Sequence, residues 1–301
     1  AGLDILILDG QSQVAITAAD AVLVATKLQA PRVRDQLVDR EHLHERLSAG
    51  ADLGLTLVAC PAGFGKTSLL SAWYQAQSQG RATAWLSIDN DDNDPAVLWP
   101  YLLEALRRVC PDMVGADQSP FGVSPPVVEL LLPRLVNVLA EQPPMTLILD
   151  DFHLLTDGSS RESLHWLVEH APSNFQLVIA TRKEPDLPLG ALRAHGELLE
   201  LRADDLRFSS EEADRFLNGR QMLALSAPDV DLLVQRTDGW PAGLYLAALS
   251  LRRTDDRHDL VTRFGASNHH VIDFLESEVI QAHDPADQEL MRSEEHTSEL
   301  Q

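Results

Sequence analysis

LTLVACPAGFGKTSLLSAW, residues 55–73, passes from a short apolar run through a glycine-bearing loop into a helical pattern. The run 55–60 has the length and continuous apolarity of a strand buried on both faces. In Cys60-Pro61-Ala62-Gly63-Phe64-Gly65-Lys66-Thr67 the glycines let the backbone curl, so that successive N–H groups face a phosphate. The helix opened by Lys66, Thr67 and Ser68 adds favourable potential at its N-terminus. Lys66 is placed to reach β- and γ-phosphates, and Thr67 to ligate magnesium. Cys60 stands where this pattern usually starts with glycine, which removes some freedom at the strand exit. A turn with an incidental lysine is the bland alternative, but the chain has only three lysines, Lys27, Lys66 and Lys183.

Outward from this loop, further short apolar runs alternate with helical patterns. ATAWLSI (82–88), MTLILD (145–150), FQLVIAT (175–181) and ELLEL (197–201) read as strands, with helices over 66–78, 95–109, 126–142 and 159–170. This alternation predicts an α/β fold in which a parallel sheet is flanked by helices. After about residue 205 the strands stop and three or four capped helices follow, with Ser209 or Ser210, Ser226 and Gly239 marking their starts. The expected organisation is an α/β domain at 26–204 and a small helical domain at 205–264.

TLILDDFHLL places Asp150 and Asp151 at the C-terminal end of a buried strand, where ligands of open α/β sheets bind. Asp150 is the expected magnesium ligand and Asp151 the base or orienter of an attacking water. FQLVIATR ends another strand at Arg182, either a γ-phosphate sensor or a solvated surface side chain. The run DNDDND (89–94) lacks the glycine and terminal glutamate of a calcium loop and reads as an acidic loop before Pro95. His269 and His270 lack a third spaced metal ligand. Trp73, Trp85, Trp99 and Trp166 fall in strand or helix patterns and are expected in the core.

At 301 residues and 45% hydrophobic, the chain can bury a large core plus a satellite domain. A net charge of −22 disfavours direct binding to nucleic-acid phosphates. Two scattered cysteines fit a reducing cytoplasm, and no run is long enough to span a bilayer.

With loop, acidic pair and arginine in that order, the chain resembles the STAND branch of P-loop NTPases. Its phrases TKLQAPRVRDQLVDR (26–40), WLSIDNDDNDP (85–95), TRKEPDLPL (181–189), TDGWPAGLYLAAL (237–249) and HHVIDFLESEV (269–279) are similar to those of the MalT-like, large ATP-binding LuxR-family regulators. The resemblance implies ATP or ADP with Mg2+ held by Pro61 to Ser68, by Val38 and Arg40 of the LVDR phrase against adenine and ribose, and by Pro241 of GWPAG over the adenine. Glycine often stands in relatives where Asp39 stands here. It further implies a slowly hydrolysing switch, with possible ATP-dependent self-association, no membrane partner, and an inducer and promoter DNA bound through other domains. Residues 265–291 would begin a winged-helix domain. The tail RSEEHTSELQ (292–301) reads as a translated sequencing adapter, and residues 1–25 are an N-terminal segment of open assignment. A remodelling ATPase of the same superfamily and a nucleotide-binding interaction module without useful hydrolysis are the rival readings.

Overall fold

In the computed structural model, residues 23–33, 37–77, 81–111, 127–254 and 256–264 are described. Residues 1–22, the stretch 112–126, His269 and His270, the expected winged-helix start at 265–291 and the tail at 292–301 lie outside them.

Five strands, β1 (Leu55–Ala59), β2 (Ala82–Ser87), β3 (Met145–Asp150), β4 (Phe175–Thr181) and β5 (Leu198–Leu201), form one parallel sheet in the order β2-β3-β4-β1-β5. Side chains alternate across it as a period of two requires. Leu55, Leu57, Leu147, Leu149, Leu177 and Ile179 enter one core. Val58, Ile148, Val178 and Ala180 enter a second core on the opposite face, together with Trp73 and Trp85.

The helices α1 (Glu41–Ala49) and α2 (Lys66–Gln77) supply Leu43, Leu47, Leu69, Leu70 and Trp73 to that second core. The first core is roofed by α3 (Pro95–Val109), α4 (Leu132–Ala140), α5 (Gly158–His170) and α6 (Leu189–His195). Pro95 starts α3 with the Asp94 side chain capping the Ala96 N–H. The helix expected over 126–142 is instead a π-helical turn at Val127–Leu131 followed by α4. Pro133 accounts for the break, because it offers no N–H to continue an upstream ladder yet suits the first turn of a new helix. Trp73, Trp85 and Trp99 are buried, whereas Trp166 packs at the core's edge and stacks on His170 at 4.0 Å.

The acidic loop is built around an ion pair. Asp92 is buried, and both its carboxylate oxygens accept from Lys27 Nζ at 2.8 Å while the carboxylate also accepts the Asp89 N–H; Lys27 Nζ lies 3.0 Å from Asp89 Oδ2 as well. Lys27 thus joins the segment before α1 to the end of β2.

Beyond β5 come α7 (Ala203–Leu206), α8 (Ser210–Asp214) running into a π-helical turn, α9 (Ala227–Thr237), α10 (Pro241–Leu251) and α11 (Arg257–Arg263). They enclose their own core around Leu217, Val230, Leu233, Leu244, Ala248 and Val261, which also receives Val38. Ser209 and Ser226 cap α8 and α9 through the N–H groups of Glu212 and Asp229.

Candidate functional site

The loop between β1 and α2 leaves the sheet at its C-terminal edge, anchored by the Cys60 N–H to the carbonyl of Thr181 at 3.2 Å. Gly63 and Gly65 both take positive φ, 77° and 81°, a conformation that other residues reach only with strain. A Cβ on Gly65 would meet nothing within 4 Å, so this turn borders open space, as a phosphate cradle needs. Lys66 is buried; its ammonium donates to the carbonyls of Cys60 at 2.7 Å and Pro61 at 2.9 Å. Burial pulls its pKa down and outweighs the nearby Cys60 and the acidic pair, which support its charge.

Strand β3 delivers the acidic pair to the same edge, although β4 lies between it and β1. Thr67 Oγ1 donates to Asp150 Oδ1 at 3.1 Å. The hydroxyl and carboxylate expected to share a magnesium are therefore in contact, 83 residues apart in sequence. Asp150 is buried, and burial with the adjoining Asp151 raises its carboxyl to about 6. This donor set suits magnesium, whose positive charge would offset the cost of burying that carboxylate.

Asp151 turns out of the strand in the left-handed region, φ 56°, and stays partly exposed. A short turn at Phe152–Leu154 follows, bringing His153 Nδ1 to 3.9 Å from Asp151 Oδ1. Burial, then the charges of Arg182, Lys66 and Lys183, lowers the His153 pKa to about 4. Arg182, just past the end of β4, adds its positive charge to the surroundings of both Lys66 and His153.

Beside the loop lies a cavity of about 840 Å³. Its wall gathers Val38, Arg40, Phe64, Gly65, Thr67, Ser68 and Pro241, which the sequence places in three distant segments. Arg40 has other duties as well: it is buried, its Nε bonds Glu212 at 2.8 Å, and its terminal nitrogens bond the carbonyls of Leu206 at 2.9 Å and Arg207 at 2.8 Å. Pro61 has no N–H to offer and its carbonyl accepts from Lys66, while the Ala62 carbonyl accepts from Trp240.

One contact was not anticipated from the sequence. Trp240 Nε1 donates to the Ala62 carbonyl at 3.2 Å, and the Ala242 N–H donates to the Gly63 carbonyl at 3.0 Å. A Cβ on Gly63 would lie 2.7 Å from Ala242 Cβ and from the Trp240 indole nitrogen. The start of α10 therefore grips the back of the loop whose front borders the cavity. A tryptophan beside a proline at a helix start was the available signal, but it named no partner.

No family model matches the chain. It is 34% identical over 266 residues to the serine/threonine-protein kinase PknK of Mycobacterium tuberculosis H37Rv, covering 87% of this chain and 24% of that protein. To the HTH-type transcriptional regulator MalT of Yersinia enterocolitica it is 32% identical over 266 residues, 86% of this chain and 29% of that one. The chain is a MalT-like STAND P-loop NTPase. It spans less than a third of the length of these curated relatives. The STAND fold is also seen in a protein with a tetratricopeptide repeat sensor, PH0952 from Pyrococcus horikoshii, at TM-score 0.52, 18% identity and coverage of 85% of this chain and 34% of that one. The Walker-type ATPase PABY2304 of Pyrococcus abyssi superposes at TM-score 0.55, 16% identity, 92% of this chain and 80% of that one. In this STAND NTPase no described helix is long and apolar enough to cross a membrane.

Proposed function

We propose that this chain is an ATP-operated switch, in which residues 26–204 form the nucleotide domain and residues 205–264 a helical domain that responds to it. The reading rests on the Thr67 to Asp150 contact at the mouth of a glycine-turned loop. In this proposal the loop amides and Lys66 hold the phosphates, and Thr67 with Asp150 would hold Mg2+, which supplies charge neutralisation at the phosphates. Val38, Arg40, Phe64 and Pro241 wall the space for base and sugar. Asp151 orients the attacking water and Arg182 lies beside the γ-phosphate. Hydrolysis, slow as the resemblance to MalT-like regulators implies, serves to reset the switch.

Two observations favour a switch over a free-running remodelling ATPase. Most of the chain, 87% and 86% of it, is similar to a kinase and to a transcription regulator respectively, so the shared module is separable from either output. In addition, the loop's back is bonded to α10, so a ligand that reshapes the loop acts directly on the helical part. An inducer and promoter DNA would be met by segments outside the matched stretch, with ATP-dependent self-association as the response, in the cytoplasm. The two cysteines, both buried and not joined in a disulfide, fit that compartment.

The test is a titration of ATP and ADP, with and without Mg2+, against the wild type and Lys66→Ala. Loss of roughly 100-fold or more in ATP affinity on removing this buried, charge-assisted contact is expected. Equal affinities for the two proteins would sink the proposal.

A further inference from the structure

Ser71 follows Thr67 by one turn of α2 and has no role in the reading above. It is 2% exposed, and its Oγ is one of two buried side-chain polar atoms without a hydrogen-bond partner among the described residues. A serine inside a helix commonly bonds back to a carbonyl of the preceding turn, and this one does not. Its hydroxyl therefore carries a desolvation cost that nothing in the protein offsets. Rotation about χ1 moves the oxygen between staggered positions, and no hydrogen bond is given up in the turn.

The place of this hydroxyl supplies a partner for it. Ser71 belongs to the wall of the cavity beside the loop, on the helix face it shares with Thr67. At 1.5 Å per residue it stands about 6 Å along α2 from Thr67, whose Oγ1 meets Asp150. The same wall includes the apolar Val33, Leu37 and Ala72, and it runs on along α2 to Gln75 and takes in His44 of α1. With a triphosphate held at the loop, sugar and base lie along this stretch. In an extended purine nucleotide, N7 is the base nitrogen turned towards the phosphates, and it can only accept. A hydroxyl whose hydrogen is uncommitted complements it, and the six-membered ring falls beyond, towards Gln75. A pyrimidine has no such atom to offer.

We infer that Ser71 is a specificity-determining residue: its Oγ–H donates to N7 of the bound base, so that the site selects purine over pyrimidine nucleotides. The inference rests on the nucleotide site proposed above and names what that site reads. One polar atom in a mainly apolar wall discriminates well, because a base without the matching atom leaves it unpaired.

The test is a double-mutant cycle in the full chain, with ATP and 7-deaza-ATP as the probes. These differ only in carrying nitrogen or C–H at position 7, and calorimetry reads both against the wild type and Ser71→Ala. The wild type is expected to bind ATP roughly ten-fold more tightly than 7-deaza-ATP, the effect of one neutral hydrogen bond. Ser71→Ala should bind the two alike, with ATP weakened to the level of the analogue. No preference in the wild type, or one that survives in Ser71→Ala, overturns the inference. Unfolding of the ligand-free protein gives an independent reading. The hydroxyl bonds nothing there and alanine suits a helix, so Ser71→Ala is expected to keep or raise the urea midpoint. A lowered midpoint means that the hydroxyl serves the fold instead, and overturns the inference as well. Failure of Lys66→Ala to weaken ATP binding would strike at the nucleotide site itself, whereas a surviving preference in Ser71→Ala leaves that site standing.

Discussion

Gly63 and Gly65 sit two residues apart with nearly the same backbone angle, yet they hold it for different reasons. Gly65 faces open space, and Gly63 faces Trp240 and Ala242 at distances that no Cβ tolerates. One glycine shapes the front of the loop for a ligand. The other lets the helical part reach the back. A single short loop thereby touches the helical part on one side and borders the cavity on the other.

The sharpest way to break this comparison is substitution of Gly63. Gly63→Ala adds a collision with α10 to the cost of an L-residue at positive φ. The expected loss is about 3 kcal/mol in urea unfolding, of which roughly 1–2 kcal/mol is backbone strain. Gly65→Ala should show the strain alone and lose mainly nucleotide affinity. Equal losses of stability from the two would remove the distinction.

A second test concerns the front of the loop and uses pH. The fold keeps His153 neutral by lowering its pKa from 6.5 to about 4, so the unfolded chain binds more protons between these values. The contribution of His153 is therefore complete above about 6.5 and is lost as pH falls towards 4, by up to roughly 3 kcal/mol. Asp150 works in the opposite direction: its carboxyl, raised to about 6, makes the fold relatively more stable as pH falls from 6 towards 4. Urea midpoints of His153→Asn and Asp150→Asn across pH 4 to 7 should diverge from the wild type with opposite slopes. Parallel curves would mean that neither group is held as described.

The smallest expected effect sharpens the account of the loop's back. Trp240→Phe retains most of the apolar contact and removes the indole N–H from the Ala62 carbonyl, for a loss of about 1 kcal/mol. ATP affinity should fall with it, measured by calorimetry, since the loop loses one of its two supports. Unchanged affinity would mean that back and front are independent.

The sheet was legible in the sequence because strands covered on both faces are short and continuously apolar, as 55–60 and 145–150 are. The loop, Asp150 and the helix starts at Pro95, Ser209 and Ser226 were legible because each carries local chemistry in its neighbours. What could not be read were pairings across long separations. Trp240 and Ala62 are 178 residues apart, Arg40 and Glu212 172, and nothing local to either marks the other. The insertion of β4 between the two chemically marked strands was similarly silent, because apolar runs of like composition can be ordered many ways. The apolar period running through Pro133 hid the break before α4.

The clasp made by Arg40 carries a mechanical meaning. Its guanidinium holds Glu212 and the carbonyls of Leu206 and Arg207, where the chain passes from sheet to helices, and lies 5.2 Å from the Phe208 ring. Such a crossing is a bolted joint, with several directional bonds meeting on one rigid planar fork. Motion there has to release those bonds together, so the joint favours abrupt rearrangement over gradual drift, and a lysine in its place would leave the bolt with a point charge and no fork.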